Sequence, residues 1–91
     1  MNIFIISYDL KAPTYNRERV EKVIESLGTW CKYVSTTYLL KTEKSINEVN
    51  KTIINALDGN DNMIVCKVQK PICGYLSQNR WDWINSNIYK R

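Results

Sequence analysis

Apolar residues recur with two different spacings in the first half of the chain. The run "NIFIISYDL" predicts a first strand over residues 2–8, with apolar side chains on both faces as in the middle of a sheet. "LKAPTY" follows as a predicted loop whose shape is restricted by Pro13. The stretch "NRERVEKVIESLG" predicts a helix that Asn16 caps and Gly28 ends. Its apolar residues recur at helical spacing: Val20, Val23, Ile24 and Leu27.

The rest of the chain predicts two strands, a helix, a further strand and a tail. "TWCKYVSTTYLLKT" predicts two short strands with a bend near Ser35. "SINEVNKTIINALDG" predicts a helix that opens with a capping box of Ser45 and Glu48 and ends at Gly59. Its predicted apolar side consists of Ile46, Val49, Ile53, Ala56 and Leu57. "MIVCKVQK" predicts a fourth strand, and the tail "SQNRWDWINSNIYKR" predicts a short helix capped by Ser77.

The order strand, helix, two strands, helix, strand predicts an α+β fold with a ferredoxin-like split βαβ arrangement. Two helices would cover one face of an antiparallel sheet, with a further helix at the C-terminus. Right-handed crossovers place the first and third strands in the centre and the fourth strand on an edge beside the first. Residues 1–91 are expected to form a single domain. Because the predicted edge strand is apolar, we expect a partner chain or the tail to cover it, which favours a homodimer.

Composition and charge limit which kinds of partner are compatible with the chain. The chain has 91 residues, 44% of them apolar, and carries a formal charge of +4. Its lysines and arginines are scattered, which suits a solvated surface and is compatible with nucleic acid as a partner. The cations proposed to contact nucleic acid are Lys11, Arg17, Arg19, Lys32 and Arg80. Aromatic residues could stack on bases, or could fill the core or a dimer contact: Trp30, Tyr33, Tyr38, Trp81 and Trp83.

The cysteine and histidine content argues against several chemistries. The three cysteines, Cys31, Cys66 and Cys73, have no CxxC spacing, and we expect them to be reduced and half-buried. The chain contains no histidine, so hydrolysis would depend on carboxylates and a hard cation such as Mg²⁺. The N-terminal apolar run is too short to span a bilayer and has no basic region before it. We therefore expect no membrane partner and a cytoplasmic location.

Asp9 is the candidate for chemistry because it follows the predicted central strand. A carboxylate at this position could bind Mg²⁺, and two such carboxylates across a twofold axis could hold one ion and activate a water. It could equally be a strand-end acid that accepts hydrogen bonds from the following loop. The stretch "DGNDN" lacks the ligand pattern of an EF-hand, so Asp58, Asn60 and Asp61 are predicted turn formers.

Three segments carry a resemblance to a known group: "ISYDL", "LGTWCKYVSTTYLLKT" and "NDNMIVCKV". With these, the chain resembles the small SinR-like proteins, which are similar in turn to the CRISPR-associated adaptation subunit with a ferredoxin-like fold. The resemblance implies a ferredoxin-like homodimer. It also implies that Asp9 matches the proposed metal-binding catalytic acid of the adaptation subunit. The tryptophan-containing tail departs from that subunit, which ends in a further strand.

Three functions follow as expectations. The first is a homodimeric, nucleic-acid-associated binding module of SinR-like type. The alternative is a metal-dependent endonuclease that uses Asp9 from each protomer. The first is favoured because one acid without a nearby acidic cluster is a sparse basis for catalysis. A third expectation is a mobile-element factor that binds a protein partner, although no residue identifies that partner.

Overall fold

The computed structural model describes residues 1–11 and 13–89, without the side chains of residues 13–15. Its elements are β1 (Asn2–Asp9), α1 (Pro13–Glu25), β2 (Thr29–Val34), β3 (Thr37–Thr42), α2 (Ile46–Ile54), β4 (Asn62–Lys67) and α3 (Gln78–Ile84), followed by a π-helical turn (Asn85–Tyr89). The strands form one antiparallel sheet with the order β2-β3-β1-β4. This confirms the predicted α+β, ferredoxin-like fold, with β1 and β3 central and β4 on an edge.

The main core lies between the sheet and the two helices α1 and α2. On β1 every second side chain, Phe4, Ile6 and Tyr8, is buried on this face. The helices and β3 contribute the rest of the core, which includes Val20, Ile24, Tyr38, Leu40, Val49 and Ile53. The core therefore combines side chains from every second residue of a strand with side chains that recur every three or four residues on the helices, as the apolar pattern predicts.

The start of α1 differs from the prediction. The helix begins at Pro13, so part of the predicted loop is helical and Asn16 is not its cap. Proline suits the first helical position because the amide hydrogen it lacks would have no partner within the helix. Asn16 is instead buried within α1, where its Nδ2 donates to Asp61 Oδ2 at 2.8 Å. Its Oδ1 is buried and has no hydrogen-bond partner among the described atoms.

Glycine is required at position 28 because there is no room for a side chain there, not because the backbone has an unusual φ. The helix α1 ends at Glu25, three residues before Gly28, so the prediction that Gly28 ends it is wrong, and no described glycine has a positive φ. A Cβ atom at this position would clash with the carbonyl oxygen of Lys41. Glycine therefore allows the chain entering β2 to approach the backbone of β3 closely.

The predicted capping box of α2 is confirmed. Ser45 Oγ accepts from the Glu48 amide at 3.2 Å, and Glu48 Oε1 accepts from the Ser45 amide at 3.3 Å. Two parts of the α2 prediction are wrong. The helix ends at Ile54, five residues before Gly59. Ile46, predicted to lie on the apolar side, is 39% exposed.

The C-terminal segment packs on the opposite face of the sheet, called here the second face. This is the face to which Ile3, Ile5, Ser7 and Asp9 of β1 point. Leu39 of β3 and Ile84 of α3 are buried there, which confirms the predicted third helix. Lys90 and Arg91, predicted to continue it, lie outside the described residues.

The tail covers this face without pairing along the outer edge of β4. Within residues 1–11 and 13–89, β4 pairs only with β1. Met63 and Val65 pack partly against the main core, whereas Ile64 is 60% exposed on the second face. The predicted cover of the β4 edge is thus absent from the described part of a single chain.

The remaining expectations concern the cysteines and the membrane. No disulfide joins the three cysteines, and all are free. Cys31 is half-buried as predicted, but Cys66 on the edge strand β4 and Cys73 in the segment between β4 and α3 are exposed. None of the helices in the described ranges is long and apolar enough to cross a bilayer.

Candidate functional site

Asp9 lies at the exposed end of β1, on the second face of the sheet. The strand register places Asn62 of β4 directly opposite it, and Ser7 opposite Ile64. These four residues, together with Tyr8 and Met63, line a shallow groove of about 280 Å³. The position matches the prediction of a carboxylate held at a strand end near solvent.

The neighbourhood of Asp9 offers few metal ligands. In the part of the chain that the structure describes, no group of three or more Asp, Glu or Cys side chains could hold an ion. Besides the Asp9 carboxylate, the groove offers the Asn62 amide oxygen and the Ser7 hydroxyl, which accepts from Thr37 Oγ1 at 3.4 Å. A magnesium ion prefers several oxygen ligands in octahedral geometry. Because Mg²⁺ commonly keeps several of its waters, this donor set would give a weak site, to which a second chain or substrate phosphates would add oxygens.

Asp61 lies in the turn before β4 and fastens that turn to α1. Its Oδ1 accepts from the Lys11 amide at 2.8 Å, and its Oδ2 accepts from the Asp58 amide at 2.8 Å. Together with the bond from Asn16, these donors hold the pKa of Asp61 below its usual value, the Asp58 amide having the largest effect. The carboxylate is therefore used in a turn, in line with the predicted turn-forming role.

Two of the five predicted nucleic-acid-binding cations meet at one carboxylate. Glu21 Oε2 accepts from Lys32 Nζ at 2.6 Å, from Arg17 Nε at 2.9 Å and from the Tyr8 hydroxyl at 2.7 Å. Burial opposes ionisation of Glu21, but the hydrogen bonds from Lys32, Tyr8 and Arg17 outweigh it and lower its pKa to about 2. Arg17 also donates to the Ser35 carbonyl at 2.6 Å. This Glu21 cluster joins α1 to β1, to β2 and to the turn between β2 and β3.

The other predicted cations lie elsewhere. Arg19 donates to the Ala56 carbonyl at 3.1 Å and forms a salt bridge of 3.3 Å with Asp58, so it connects α1 to the end of α2. Lys11 is exposed in the loop after β1. Arg80 is on α3, partly buried, and donates to Ser77 Oγ at 2.7 Å. The five predicted cations therefore do not form one surface.

The aromatic candidates are mostly used in packing. Tyr38 is fully buried and donates to Glu25 Oε2 at 2.6 Å. Trp30 packs edge-on against Tyr38, with ring centroids 5.6 Å apart, and remains 41% exposed. Trp81 and Trp83 are both partly buried, so neither is fully exposed on α3. Trp30 has the largest exposed fraction among the candidates that the sequence singled out.

A group of four lysines was not recognised from the sequence. Lys41 pairs with Ile3 near the start of β1, and Lys67 pairs with Phe4 on the other side of the same strand. Lys44 lies beside the start of β1, where its carbonyl accepts from Asn2 Nδ2 at 2.9 Å, and Lys70 follows β4 by three residues. We call these four residues the basic end.

No salt bridge involves these four lysines in the described ranges, in contrast to Arg17, Arg19, Lys22 and Lys32. Lys70 does approach the Tyr89 ring, at 5.6 Å from its centroid. The sequence feature that could have revealed the basic end is a lysine near the C-terminal end of both β3 and β4. Because both strands run antiparallel to β1, these ends meet beside its start.

Comparison with solved structures supports the fold. The chain is similar to the crystal structure of hypothetical protein TT1823 from Thermus thermophilus, with a TM-score of 0.63 and 16% sequence identity. The similarity covers 84% of this chain and 94% of that one. No family model matches the chain, and no curated protein matches it. At this identity the similarity shows the fold alone, and the resemblance to the SinR-like group stays a prediction.

Proposed function

We propose that this chain is a homodimeric, nucleic-acid-associated binding module of SinR-like type that acts in the cytoplasm. The observation that carries the binding proposal is the basic end, with Lys41, Lys44, Lys67 and Lys70 outside the described salt bridges. Unpaired lysines can neutralise phosphates without first breaking a contact within the protein. The arginines on α1, in contrast, would have to leave Glu21 or Asp58.

The spacing at the basic end suits a phosphate backbone. Lys41 and Lys67 lie on the two strands that flank β1. Their Cα atoms are therefore about 10 Å apart, from a spacing of about 4.8 Å between neighbouring strands. Lys41, paired with Ile3, lies on the second face, and Lys67, paired with Phe4, lies on the helix-covered face. Flexible lysine side chains can therefore contact a phosphate backbone that crosses this end of the sheet from its two faces. Two acids lie near the same end, Glu43 between Lys41 and Lys44, and Glu48 in the capping box at the start of α2. A contact of this kind positions a nucleic acid without reading its bases.

The first test removes two charges at the basic end. We expect Lys41→Gln with Lys44→Gln to weaken binding of a labelled 20-nucleotide single-stranded DNA or RNA by about tenfold. The slope of log affinity against log salt should fall in magnitude by about 2. Fluorescence anisotropy across a salt series measures both quantities.

The matched control loses the same charge elsewhere. Lys51→Gln with Lys22→Gln removes two exposed lysines, one on α2 and the other salt-bridged to Glu18 at 2.9 Å on α1. This double variant should bind nearly as well as the original chain. Equal weakening by the two double variants would show attraction by net charge alone and contradict a binding surface at the basic end. Absence of any salt-sensitive binding would contradict the proposed function itself.

A second candidate is favoured by the exposed carboxylate of Asp9. We propose as the alternative a Mg²⁺-dependent endonuclease in which Asp9 from each protomer holds the ion. Bound Mg²⁺ would supply a Lewis acid for phosphoryl oxygens and a more acidic water. The residues of this chain that face the groove, Asp9, Asn62 and Ser7, would orient the ion and the substrate. The support is that Asp9 is exposed and makes no hydrogen bond with the described side chains.

The test of this alternative is an isosteric change. Asp9→Asn should abolish Mg²⁺-dependent cleavage, with a loss of at least about a hundredfold, because an amide cannot supply the anionic oxygen. Its thermal unfolding should stay unchanged, since the side chain is exposed. The measurement is cleavage of labelled DNA and RNA with Mg²⁺ and with EDTA. Cleavage that survives in Asp9→Asn would contradict the proposed role of this carboxylate.

A further inference from the structure

The outer edge of β4 carries backbone groups without a partner in the described chain. Val68 donates its amide hydrogen to the Ile3 carbonyl at 2.9 Å. In an antiparallel ladder the direction of these groups alternates along the strand. Ile64 and Cys66 therefore turn their amide and carbonyl groups toward β1, whereas Met63, Val65 and Lys67 turn theirs away from the sheet. An edge of this kind is a template for another strand.

Exposed apolar side chains follow the same edge. Ile64, on β4 itself, is 60% exposed. On α2, which packs beside β4, Ile46 and Ile54 are 39% and 50% exposed. With Asn50 between them they form a stripe at positions i, i+4 and i+8, which lies along one side of the helix. Two grooves of about 290 and 390 Å³ run between this stripe and β4, and Asn50 and Met63 line both.

The charges along this edge have opposite signs at its two ends. Asp58 and Asp61 lie just before β4, and Lys67 and Lys70 lie at and after its end. Asp58 already forms a salt bridge with Arg19, whereas the hydrogen-bond donors to Asp61 are neutral amides, so Asp61 carries the unbalanced negative charge. An antiparallel copy would bring the acidic end of each chain to the basic end of the other. A parallel copy would place like charges together, which costs stability across a strand pair.

We propose that β4 pairs antiparallel with β4 of a second copy of this chain, about a twofold axis beside Ile64. This deepens the proposed function, on whose homodimer it rests. In this register Met63 lies opposite the partner's Val65, and Lys67 lies opposite the partner's Asp61. The outward-facing amide and carbonyl groups of the two β4 strands then form hydrogen bonds with each other. The exposed Ile64 packs against its own equivalent.

The same twofold axis also relates the stripe on α2 to the stripe of the second copy. Asn50 is adjacent to Met63 in both grooves, so an axis beside Ile64 also passes near the middle of the stripe. Ile46 then meets the partner's Ile54, and Asn50 meets the partner's Asn50. Strand and helix thus supply one self-complementary surface, as a twofold interface requires. This surface explains why Ile46 and Ile54 are apolar although a single chain leaves them exposed.

The pairing has a consequence for Asp9. Asp9 pairs with Asn62, which lies two positions from the axis along β4. Asp9 itself is on β1, one strand further from the axis than β4. Strand spacing and rise put the two Asp9 Cα atoms about 20 Å apart. Two carboxylates at this separation cannot share one ion. This dimer leaves Lys41 and Lys44 available for the binding module, although it places Lys67 opposite the partner's Asp61. It argues against the endonuclease that requires both Asp9 residues.

Cross-linking tests the register. Ile64 faces its equivalent at a position without ladder hydrogen bonds, where Cα atoms are about 4.5 Å apart and a disulfide can form. In a chain with Cys31, Cys66 and Cys73 changed to Ser, Ile64→Cys should give a covalent dimer on mild oxidation with diamide. Val34→Cys in the same background is the control, since Val34 is 48% exposed on the opposite edge strand. Equal cross-linking of the two variants would overturn the register.

Sedimentation tests the interface without relying on oxidation. Ile64→Glu places two carboxylates on the axis and should raise the dimer dissociation constant at least about a hundredfold, whereas Val34→Glu should change it less than about threefold. Circular dichroism checks that both remain folded. If the original chain is a dimer and Ile64→Glu stays one, this interface is overturned but the homodimer is kept. If the original chain is a monomer, the homodimer of the proposed function fails as well.

Discussion

At the scale of single residues, Glu21 joins more elements than any other side chain discussed above. One carboxylate oxygen on α1 accepts from Tyr8 on β1, Lys32 on β2 and Arg17 on its own helix. Burial and the bond to Glu21 raise the pKa of Tyr8 well above its usual value, so this hydroxyl stays a donor. If the Glu21 carboxylate were lost, Arg17 and Lys32 would lie close together without their counter-ion. Loss of the carboxylate therefore lowers the stability of the fold.

Glu21 should therefore make stability depend on pH. Its pKa is lowered from 4.5 to about 2 in the folded chain. Between these values the unfolded chain binds more protons, so the stabilisation is complete above about pH 5 and is lost as pH falls toward 2. We expect Glu21→Gln to lower the free energy of unfolding at pH 7 by at most about 3 kcal/mol. Urea unfolding of both chains from pH 7 to pH 2 measures the difference.

The control for this prediction is on the same helix. Glu18 is exposed, and its pKa is lowered by a hydrogen bond and the charge of Lys22. Solvent screens such a pair, so Glu18→Gln should change stability much less than Glu21→Gln. The difference between the original chain and Glu21→Gln should shrink as the pH falls below 5. A constant difference down to pH 2 would show that the carboxylate contributes by packing rather than by charge.

At the scale of elements, the two serine-started helices differ in how they begin. Ser45 and Glu48 form both bonds of a capping box at the start of α2. Ser77 has the same extended backbone at the start of α3, but its side chain makes no capping bond. Its hydroxyl accepts from Arg80 Nη1 instead. The same residue type in the same position therefore has different expected effects on stability.

This difference is testable with one pair of substitutions. Ser45→Ala should lower the free energy of unfolding by about 1 kcal/mol, because two amide hydrogens at the start of α2 lose their partner or its support. For a domain of this size, that corresponds to a fall in Tm of about 4–8 °C. Ser77→Ala should change stability by less than about 0.5 kcal/mol. Thermal unfolding at one protein concentration tests both, and equal falls in Tm would contradict the argument.

At the scale of the whole molecule, charge and apolar surface are arranged asymmetrically. One end of the sheet carries the basic end, and the other carries Asp9, Asp58 and Asp61. The tail buries part of the second face and leaves β4 exposed. An edge-to-edge dimer would bring oppositely charged ends together and keep Lys41 and Lys44 available. The binding, cross-linking and sedimentation experiments thus test one arrangement of two chains.

The sequence alone determined the element order, the sheet topology and the main core. These follow from local patterns: apolar spacing on β1, α1 and α2, and the Ser45–Glu48 pair. The boundaries of α1 were wrong because Pro13 suits a helix start as well as a loop. The role of Gly28 was wrong because it depends on the Lys41 carbonyl, which is distant in sequence. Asp9 was placed correctly at a strand end, a position that depends only on local pattern.

Only the tertiary structure decided which charged residues are available. Arg17 and Lys32 are adjacent to Glu21, and Arg19 to Asp58, through contacts that bridge elements far apart in the chain. The same folding gathers the lysines at and just after the ends of β3 and β4 into the basic end. It also leaves the outer edge of β4 exposed, next to the exposed Ile46 and Ile54 of α2. Hydrophobic periodicity is a local property, whereas the pairing of charges and the exposure of an edge depend on which elements become neighbours.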